Sequence, residues 1–247
     1  MDLAGLIVLS GWGWRTGILL SNNFLIAEKT LLTEGPSDVI YLLDAIKRLK
    51  AEERLDIDLN DLSIVDGGSS DNYLAMAKLM LSEGRDIVAL LDGDGAGVTN
   101  ESRLKKACPK EYEAKLKITR LASGKSSEDL FADVPTLQEA TRLVANFMID
   151  HKIKTLQPGI DLDVEIRKII PVEGTTLGRV LDDVTSKLFT DGQKLSKLSI
   201  ALEYEVLSAR RELKISKEAC QFLVELKRDL GIRGEKTVDI NVFEEVK

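Results

Sequence analysis

The residues best placed to do chemistry are four acidic side chains that each follow an apolar segment. Glu34 follows the first such segment, Asp66 the second, and Asp92 with Asp94 the third, in the phrase Leu-Leu-Asp-Gly-Asp-Gly-Ala-Gly. Two aspartates one residue apart repel each other, so something must offset that repulsion. Carboxylate oxygens are ligands that hard cations such as Mg²⁺ prefer, together with water and substrate phosphates. The pattern therefore favours a metal site made only of carboxylates.

Strands and helices alternate along the first half of the chain. The predicted strands are Lys29–Thr33, Leu62–Gly68, Ile87–Leu91 and Lys115–Leu121. The predicted helices between them begin near Pro36, run from about 71 to 82 and run from about 101 to 108. Such alternation is typical of parallel strands joined by right-handed crossovers in an open α/β sheet. Ligands bind beyond the carboxyl ends of such strands, so the four acids should meet at one edge.

Two further features bear on this edge. Asp38 lies four residues after Glu34, about one helical turn on, where it could face the same site. It could equally be a first-turn acid that complements the helix dipole. Gly93, Gly95 and Gly97 surround the aspartates, and we expect them to leave room for a phosphate.

The second half of the chain is predicted to be mainly helical. We divide the sequence into an amino-terminal segment 1–26 with Trp12 and Trp14, an α/β core 27–134, a helical region 135–190 without a clear strand, and carboxy-terminal helices with a tail at 191–247. A long helix is expected from about 193 to 213. The alternating phrase at 237–243 predicts an edge strand.

Composition excludes several classes of protein. With 44% hydrophobic and 30% charged residues, the chain resembles an ordinary soluble protein, and it has no apolar run long enough to span a membrane. Cys108 and Cys220 form no paired motif, so we expect a cytoplasmic protein. His151 is the only histidine, which argues against multi-histidine metal sites. The net charge of -7 argues against a nucleic-acid partner unless cations fill the acidic cluster.

Three other motifs fail on spacing. An EF-hand loop starting at Asp92 would have Ala96 at its fifth position and Arg103 at its twelfth, where acidic ligands are required. A phosphate-binding P-loop ending in Gly124-Lys-Ser would place Thr119 where its first glycine belongs. The glycines between 11 and 17 are spaced wrongly for a dinucleotide fingerprint.

The Glu34-Gly and Asp92-Gly-Asp94 phrases, each after a strand, resemble the Toprim domain, the catalytic module of topoisomerases, bacterial primases, recombination-repair proteins and some nucleases. The phrase from Leu31 to Tyr41 is most similar to the Toprim nucleases of the overcoming-lysogenization-defect (OLD) family. The Asp66-Gly-Gly turn and a Ser-Ser-Glu-Asp-Leu phrase beginning at 126 also fit. The resemblance covers about 24–213. It implies a Toprim core at 27–134, with 135–190 as a helical insertion.

The resemblance also implies a two-metal nuclease that uses Mg²⁺ or Mn²⁺. Its implied metal ligands are Glu34, Asp38, Asp92, Asp94 and Glu128. Glu34, Asp92 and Asp94 match the Toprim signature and would also be catalytic, while Asp129 is the alternative to Glu128. One ion would activate water and the other would stabilise the leaving oxygen, about 4 Å away.

Lysines and arginines complete the implied site. A lysine of the last helix would stabilise charge on the scissile phosphate; Lys197 is preferred, and Lys194 on the same predicted helix is the alternative. Lys194, Arg103 and Lys105 could bind the nucleic-acid backbone, although basic clusters are often only soluble surface.

The predicted function is therefore a Mg²⁺- or Mn²⁺-dependent DNA endonuclease or exonuclease. The alternatives are cleavage of RNA, as in the Toprim domain of the 5S ribosomal RNA maturase, and a non-catalytic module that binds metal and nucleic acid. A strand-passing topoisomerase is disfavoured because no catalytic tyrosine domain is recognisable. OLD proteins carry an ABC-type ATPase, and no Walker motif is present here. We therefore interpret the chain either as a carboxy-terminal catalytic region with a missing or separate ATPase or as a reduced relative. The resemblance implies a homodimer for the full-length protein.

Overall fold

The structure, a computed structural model, describes residues 29–55, 57, 62–68, 70–211 and 213–232. The predicted amino-terminal segment 1–26, with Trp12 and Trp14, lies outside these residues, and so does the predicted edge strand at 237–243.

A four-stranded parallel sheet forms the centre of the fold. Its strands are β1 (Lys29–Thr33), β2 (Leu62–Asp66), β3 (Asp86–Leu91) and β4 (Leu116–Arg120). They lie in the spatial order β2-β1-β3-β4. The four predicted strands and their parallel pairing are confirmed. Because all strands run the same way, the residues after β1 and β3 leave the sheet at one edge.

Helices cover both faces of the sheet. They are α1 (Pro36–Ala51), α2 (Ser70–Ser82), α3 (Gly95–Ala107), α4 (Ser127–Phe131), α5 (Val134–Asp150), α6 (Leu162–Ile166), α7 (Leu177–Thr185), α8 (Lys197–Arg211) and α9 (Lys217–Leu230), with a 3₁₀ helix at Lys110–Lys115. Along β3, Val88 and Leu90 enter one hydrophobic cluster, while the alternating Ile87, Ala89 and Leu91 enter the other. Coverage on both faces explains why this strand is apolar throughout.

The two clusters differ in the helices that build them. α2 and α3 complete the smaller cluster. The larger one contains residues of α1 and of every helix from α4 to α9, so the predicted helical insertion shares one core with the sheet. As expected, the described chain between 135 and 190 contains no strand, although two isolated antiparallel bridges join Leu156 to Phe189 and Val172 to Thr175. None of the helices within the described ranges is long and apolar enough to cross a membrane.

The start of α3 corrects two expectations. The helix begins at Gly95 rather than near 101, because the Asp94 carboxylate caps it by accepting the Gly97 N–H at 2.9 Å. The glycines were expected to leave room for phosphate, which is wrong for two of them. A Cβ on Gly93 would overlap the Ala122 carbonyl oxygen, and one on Gly97 would overlap the Asp92 carbonyl oxygen. Of the three glycines, Gly95 alone faces open space.

The start of α8 is a further correction. The helix begins at Lys197, not near 193, so Lys194 lies in the preceding loop rather than on the helix face. Gly192 has a left-handed φ of 65°, which interrupts helical backbone there. The Ser196 hydroxyl then accepts the Ser199 N–H at 3.3 Å and so caps the helix at its observed start.

Candidate metal centre

Glu34 links the ends of the two central strands. Its Oε2 accepts a hydrogen bond from the Asp92 backbone N–H at 3.1 Å. Its Oε1 accepts another from the Asn100 side-chain amide of α3 at 2.7 Å. These bonds favour the ionised carboxylate, but burial outweighs them, and the pKa of Glu34 is raised. The ends of β1 and β3, with Glu34 and Asp92, thus meet at one edge, as the topology requires.

Asp38 serves both of the roles considered for it. It is 8% exposed in the first turn of α1, where its Oδ2 accepts the Gly35 N–H at 2.9 Å. Burial first, and then the negative charge of Glu128, raise its pKa to about 7, against opposing hydrogen bonds from Gly35 and Ser127. The residue therefore caps α1 and also belongs to an acidic cluster.

The loop after β4 carries Glu128 into this cluster. The Gly93 N–H donates to the Lys125 carbonyl at 2.7 Å, and the Gly124 N–H donates to the Gly93 carbonyl at 2.9 Å. This pairing holds the start of α4 against the Asp92-Gly-Asp94 turn. Glu128 is 2% exposed there.

Asp129 bonds to backbone N–H groups rather than joining the acidic cluster. Its Oδ2 accepts the Ser126 N–H and the Leu177 N–H, each at 2.8 Å. The carboxylate thereby caps α4 and ties it to the start of α7. Of the two alternatives, Glu128 lies in the acidic cluster and Asp129 supports the helices around it.

Asp92 shows the electrostatic strain of the cluster most clearly. Burial, followed by the charges of neighbouring acids, raises its pKa to about 9. Those acids, in decreasing order of effect, are Asp38, Glu128, Glu34 and Asp94. Carboxylates from three separate segments of the chain thus repel one another at one place.

Lys197, the first residue of α8, supplies positive charge. Its Nζ lies 3.6 Å from Glu128 Oε1 and 3.9 Å from Asp182 Oδ2. Burial is the largest single influence and would lower the pKa of this amine, but the charges of the surrounding acids together outweigh burial and raise it. Those acids, in decreasing order of effect, are Glu128, Asp182, Asp38 and Asp92. Lys197 therefore stays protonated beside the acids.

Three residues of the site were not predicted from the sequence. Asn100 orients Glu34, Asp182 contacts Lys197, and Gly178 lies against the Glu128–Lys197 pair. A Cβ on Gly178 would lie 2.8 Å from both Glu128 Oε2 and Lys197 Nζ. No local motif marks Gly178 or Asp182. The early start of α3, had it been recognised, would have placed Asn100 near the site.

Residues 25–94 match a family model described as overcoming lysogenization defect protein-like, TOPRIM domain. Residues 25–94 therefore belong to an OLD-like Toprim domain. The predicted family and Toprim fold are thereby confirmed, and the match supports a metal-binding function connected with nucleic acids. It spans β1 to β3 with Glu34, Asp38, Asp92 and Asp94, whereas Glu128 and Lys197 lie beyond it. No curated protein matches the chain, and neither does any solved structure.

The donor atoms of the Toprim site suit a hard divalent cation. The clustered acids offer only carboxylate oxygens, which Mg²⁺ and Mn²⁺ prefer. Bound positive charge would also relieve the repulsion that, after burial, raises the pKa of Asp92. In the described part of the chain, no three acidic, histidine or cysteine side chains already form a metal-ligand set. The residues thus fit such a cation by chemistry, and its binding requires their side chains to adjust.

The other predicted residues bond to groups outside the acidic cluster. Asp66 ends the outer strand β2 and accepts the Gly68 N–H of its own turn at 2.8 Å. Arg103 pairs with Asp71, and Lys105 pairs with Glu101 at 2.5 Å, on the exposed surface of α3. Lys194 Nζ lies 2.6 Å from Asp182 Oδ2.

Proposed function

We propose that this Toprim domain is a divalent-cation-dependent nuclease that hydrolyses phosphodiester bonds in DNA. The observation that carries the proposal is the convergence of Glu34, Asp38, Asp92 and Glu128, from three chain segments, beside Lys197. A buried cluster of this charge would repel a phosphate. With cations bound, the same cluster becomes attractive to one.

Five side chains are proposed to hold two Mg²⁺ or Mn²⁺ ions. They are Glu34, Asp38, Asp92, Asp94 and Glu128. When bound, such ions supply an activated water and neutralise charge on the scissile phosphate and its leaving oxygen. Glu34, Asp92 and Asp94 are proposed to be catalytic in this sense. No histidine base is required, and His151 lies at the end of α5, stacked on Phe147.

The chain itself supplies orientation and charge. The hydrogen bonds from Asn100 and the Asp92 N–H fix the Glu34 carboxylate before any ligand binds. Lys197 is proposed to stabilise negative charge on the phosphate, because its ammonium is only partly buried, with 32% of the side chain exposed. Arg103, Lys105 and Lys194 are proposed to contact the nucleic-acid backbone, which requires them to exchange their acidic partners for phosphates.

The proposed partners follow from the OLD family resemblance. An ABC-type ATPase, joined to this region or separate from it, would control the nuclease, and the full-length protein would act as a homodimer.

A plasmid assay tests the nuclease proposal. Supercoiled DNA is incubated with wild-type protein in Mg²⁺, in Mn²⁺ and in EDTA, beside Asp92→Asn. Asp86→Asn is the matched control, because Asp86 begins the same strand at its opposite end and is exposed. We expect nicked or linear DNA with wild type and the control only when metal is present, and none with Asp92→Asn.

Other outcomes would replace the proposal. If wild type binds Mn²⁺ and DNA but leaves the plasmid intact, the chain is a non-catalytic module. If RNA added as a competitor is cleaved in preference to DNA, the domain is a ribonuclease.

A further inference from the structure

Asp182 of α7 connects the two lysines near the Toprim site. Its Oδ2 lies 2.6 Å from Lys194 Nζ and 3.9 Å from Lys197 Nζ. Its Oδ1 is buried and has no hydrogen-bond partner. Neither the family match nor the acidic signature includes this residue.

Lys197 lies between two carboxylates, and Asp182 provides one of them. On one side, Glu128 of α4 lies 3.6 Å from the ammonium, and on the other, Asp182 of α7 lies 3.9 Å away. A lysine side chain has several rotatable bonds, so one carboxylate at this distance does not fix its position. Two carboxylates on different helices restrict it far more.

The same face of α7 also supplies space for the lysine. Gly178 precedes Asp182 by four residues, so both lie on one side of the helix. Any side chain at Gly178 would meet Glu128 Oε2 and Lys197 Nζ. The helix thus has no side chain at Gly178, beside the Glu128–Lys197 pair, and places the Asp182 carboxylate near the ammonium.

We propose that Asp182 is a positioning residue that holds the Lys197 ammonium beside Glu128, with Lys194 competing for the same carboxylate. Only the consequence of this placement, a lysine oriented toward the phosphate, rests on the proposed function. The placement of Lys197 itself can be measured without metal, DNA or activity.

The first test is the reactivity of single lysines in metal-free protein. Wild type, Asp182→Asn and the control Asp183→Asn are treated with trace acetic anhydride, and labelling of Lys197 is quantified by mass spectrometry across pH. Asp183 is the adjacent, exposed acid of α7, so its variant makes the same charge change. The remaining charges that act on Lys197, from Glu128, Asp38 and Asp92, are unchanged in both variants.

Loss of the Asp182 charge should increase labelling of Lys197. Each unit by which the pKa of an amine falls gives about tenfold more reactive neutral amine at a pH well below it. We expect roughly 3- to 10-fold faster labelling in Asp182→Asn and little change in Asp183→Asn. Unchanged labelling of Lys197, with only Lys194 becoming more reactive, would overturn the proposal and leave Asp182 as an anchor of the loop.

A second variant guards against a folding defect in Asp182→Asn. In Lys194→Met, Asp182 loses its other cation, so we expect slower labelling of Lys197 than in wild type. Faster or equal labelling would contradict the proposed competition.

Cleavage kinetics then separate the two proposals. In an active enzyme, Asp182→Asn should lower kcat about tenfold with little change in KM, and Asp182→Glu should restore part of it. A fall in substrate binding alone would contradict a positioning role. If wild type cleaves nothing, the nuclease proposal fails, while the labelling result still decides the role of Asp182.

Discussion

The Asp92 backbone N–H donates a hydrogen bond to Glu34 Oε2 at 3.1 Å, and this bond joins the two parts of the Toprim signature. The residues are 58 positions apart in sequence. They meet because β1 and β3 are adjacent parallel strands. The second oxygen of Glu34 accepts from Asn100, so both oxygens are already oriented. Such preorganisation limits the rearrangement that a ligand must cause.

Replacing Asn100 should therefore weaken metal binding. Asn100→Leu keeps the size of the side chain but removes the hydrogen bond to Glu34 Oε1. Partners that orient metal ligands typically contribute about 10- to 100-fold in affinity, and we expect a loss in that range for Mn²⁺, measured by calorimetry. Thr99→Val is the control, because Thr99 is exposed and bonds only within α3. Equal affinity in Asn100→Leu and wild type would show that this hydrogen bond does not prepare the site.

Substitutions of Glu128 and Asp129, the adjacent acids of α4, should affect cleavage and stability in opposite order. Asp129→Ala removes acceptors for the Ser126 and Leu177 N–H groups, so we expect a loss of about 2–3 kcal/mol in the free energy of unfolding by urea. Glu128→Gln keeps the shape and should change stability by only about 1 kcal/mol, because lost attraction to Lys197 is offset by reduced repulsion with Asp38.

Cleavage should respond in the opposite order. Glu128→Gln should lose at least about 100-fold in rate, more than residues that merely support a ligand. Asp129→Ala should retain measurable cleavage at temperatures where it is folded. The reverse pattern would assign the metal to Asp129.

The strand-end acids were predictable because their positions depend on topology alone. Parallel strands place Glu34 and Asp92 at one edge whatever the details of side-chain packing. The helix α1 was predictable for a local reason, since Pro36 marks its first position. Glu128 and Lys197 came from family resemblance rather than from any pattern within their own segments.

The supporting residues were not predictable because tertiary packing determines their neighbours. Gly178 and Asp182 contact Lys197 only because α7 packs beside the start of α8. The glycines around Asp92 and Asp94 are visible in the sequence, but the function expected of them, room for a phosphate, is wrong for two of the three. Two of them permit close approach of backbone atoms, which a sequence cannot distinguish from space for a ligand.

The metal-free protein should lose stability as pH rises. Asp38 and Asp92 have folded pKa values of about 7 and about 9, above the ordinary value of 3.8. Above about pH 4 the unfolded chain has lost these protons while the folded chain keeps them, so the folded state binds more protons and its advantage shrinks with pH. Each such carboxyl contributes a slope of at most about 1.4 kcal/mol per pH unit, up to its folded pKa.

Asp92→Asn isolates this effect from other titrating groups. Measured by urea unfolding in EDTA from pH 5 to 8, its stability relative to wild type should increase with pH, because only wild type must take up a proton at this position when it folds. Added Mn²⁺ should stabilise wild type increasingly above pH 7 and leave the variant nearly unchanged. A constant difference between the two proteins in EDTA would mean that Asp92 is ionised at ordinary pH.

Gly178→Ala should impair cleavage without unfolding the protein. Alanine favours a helix over glycine by about 1 kcal/mol, which offsets part of the strain near the buried Glu128. The new methyl would lie 2.8 Å from Lys197 Nζ, and the mobile lysine is the group that moves away from Glu128. We expect a fall of at least about tenfold in kcat, a melting temperature within a few degrees of wild type and faster acetylation of Lys197. Asp183→Ala on the exposed side of α7 should alter none of these, and full activity in Gly178→Ala would show that cleavage does not depend on the Glu128–Lys197 pair.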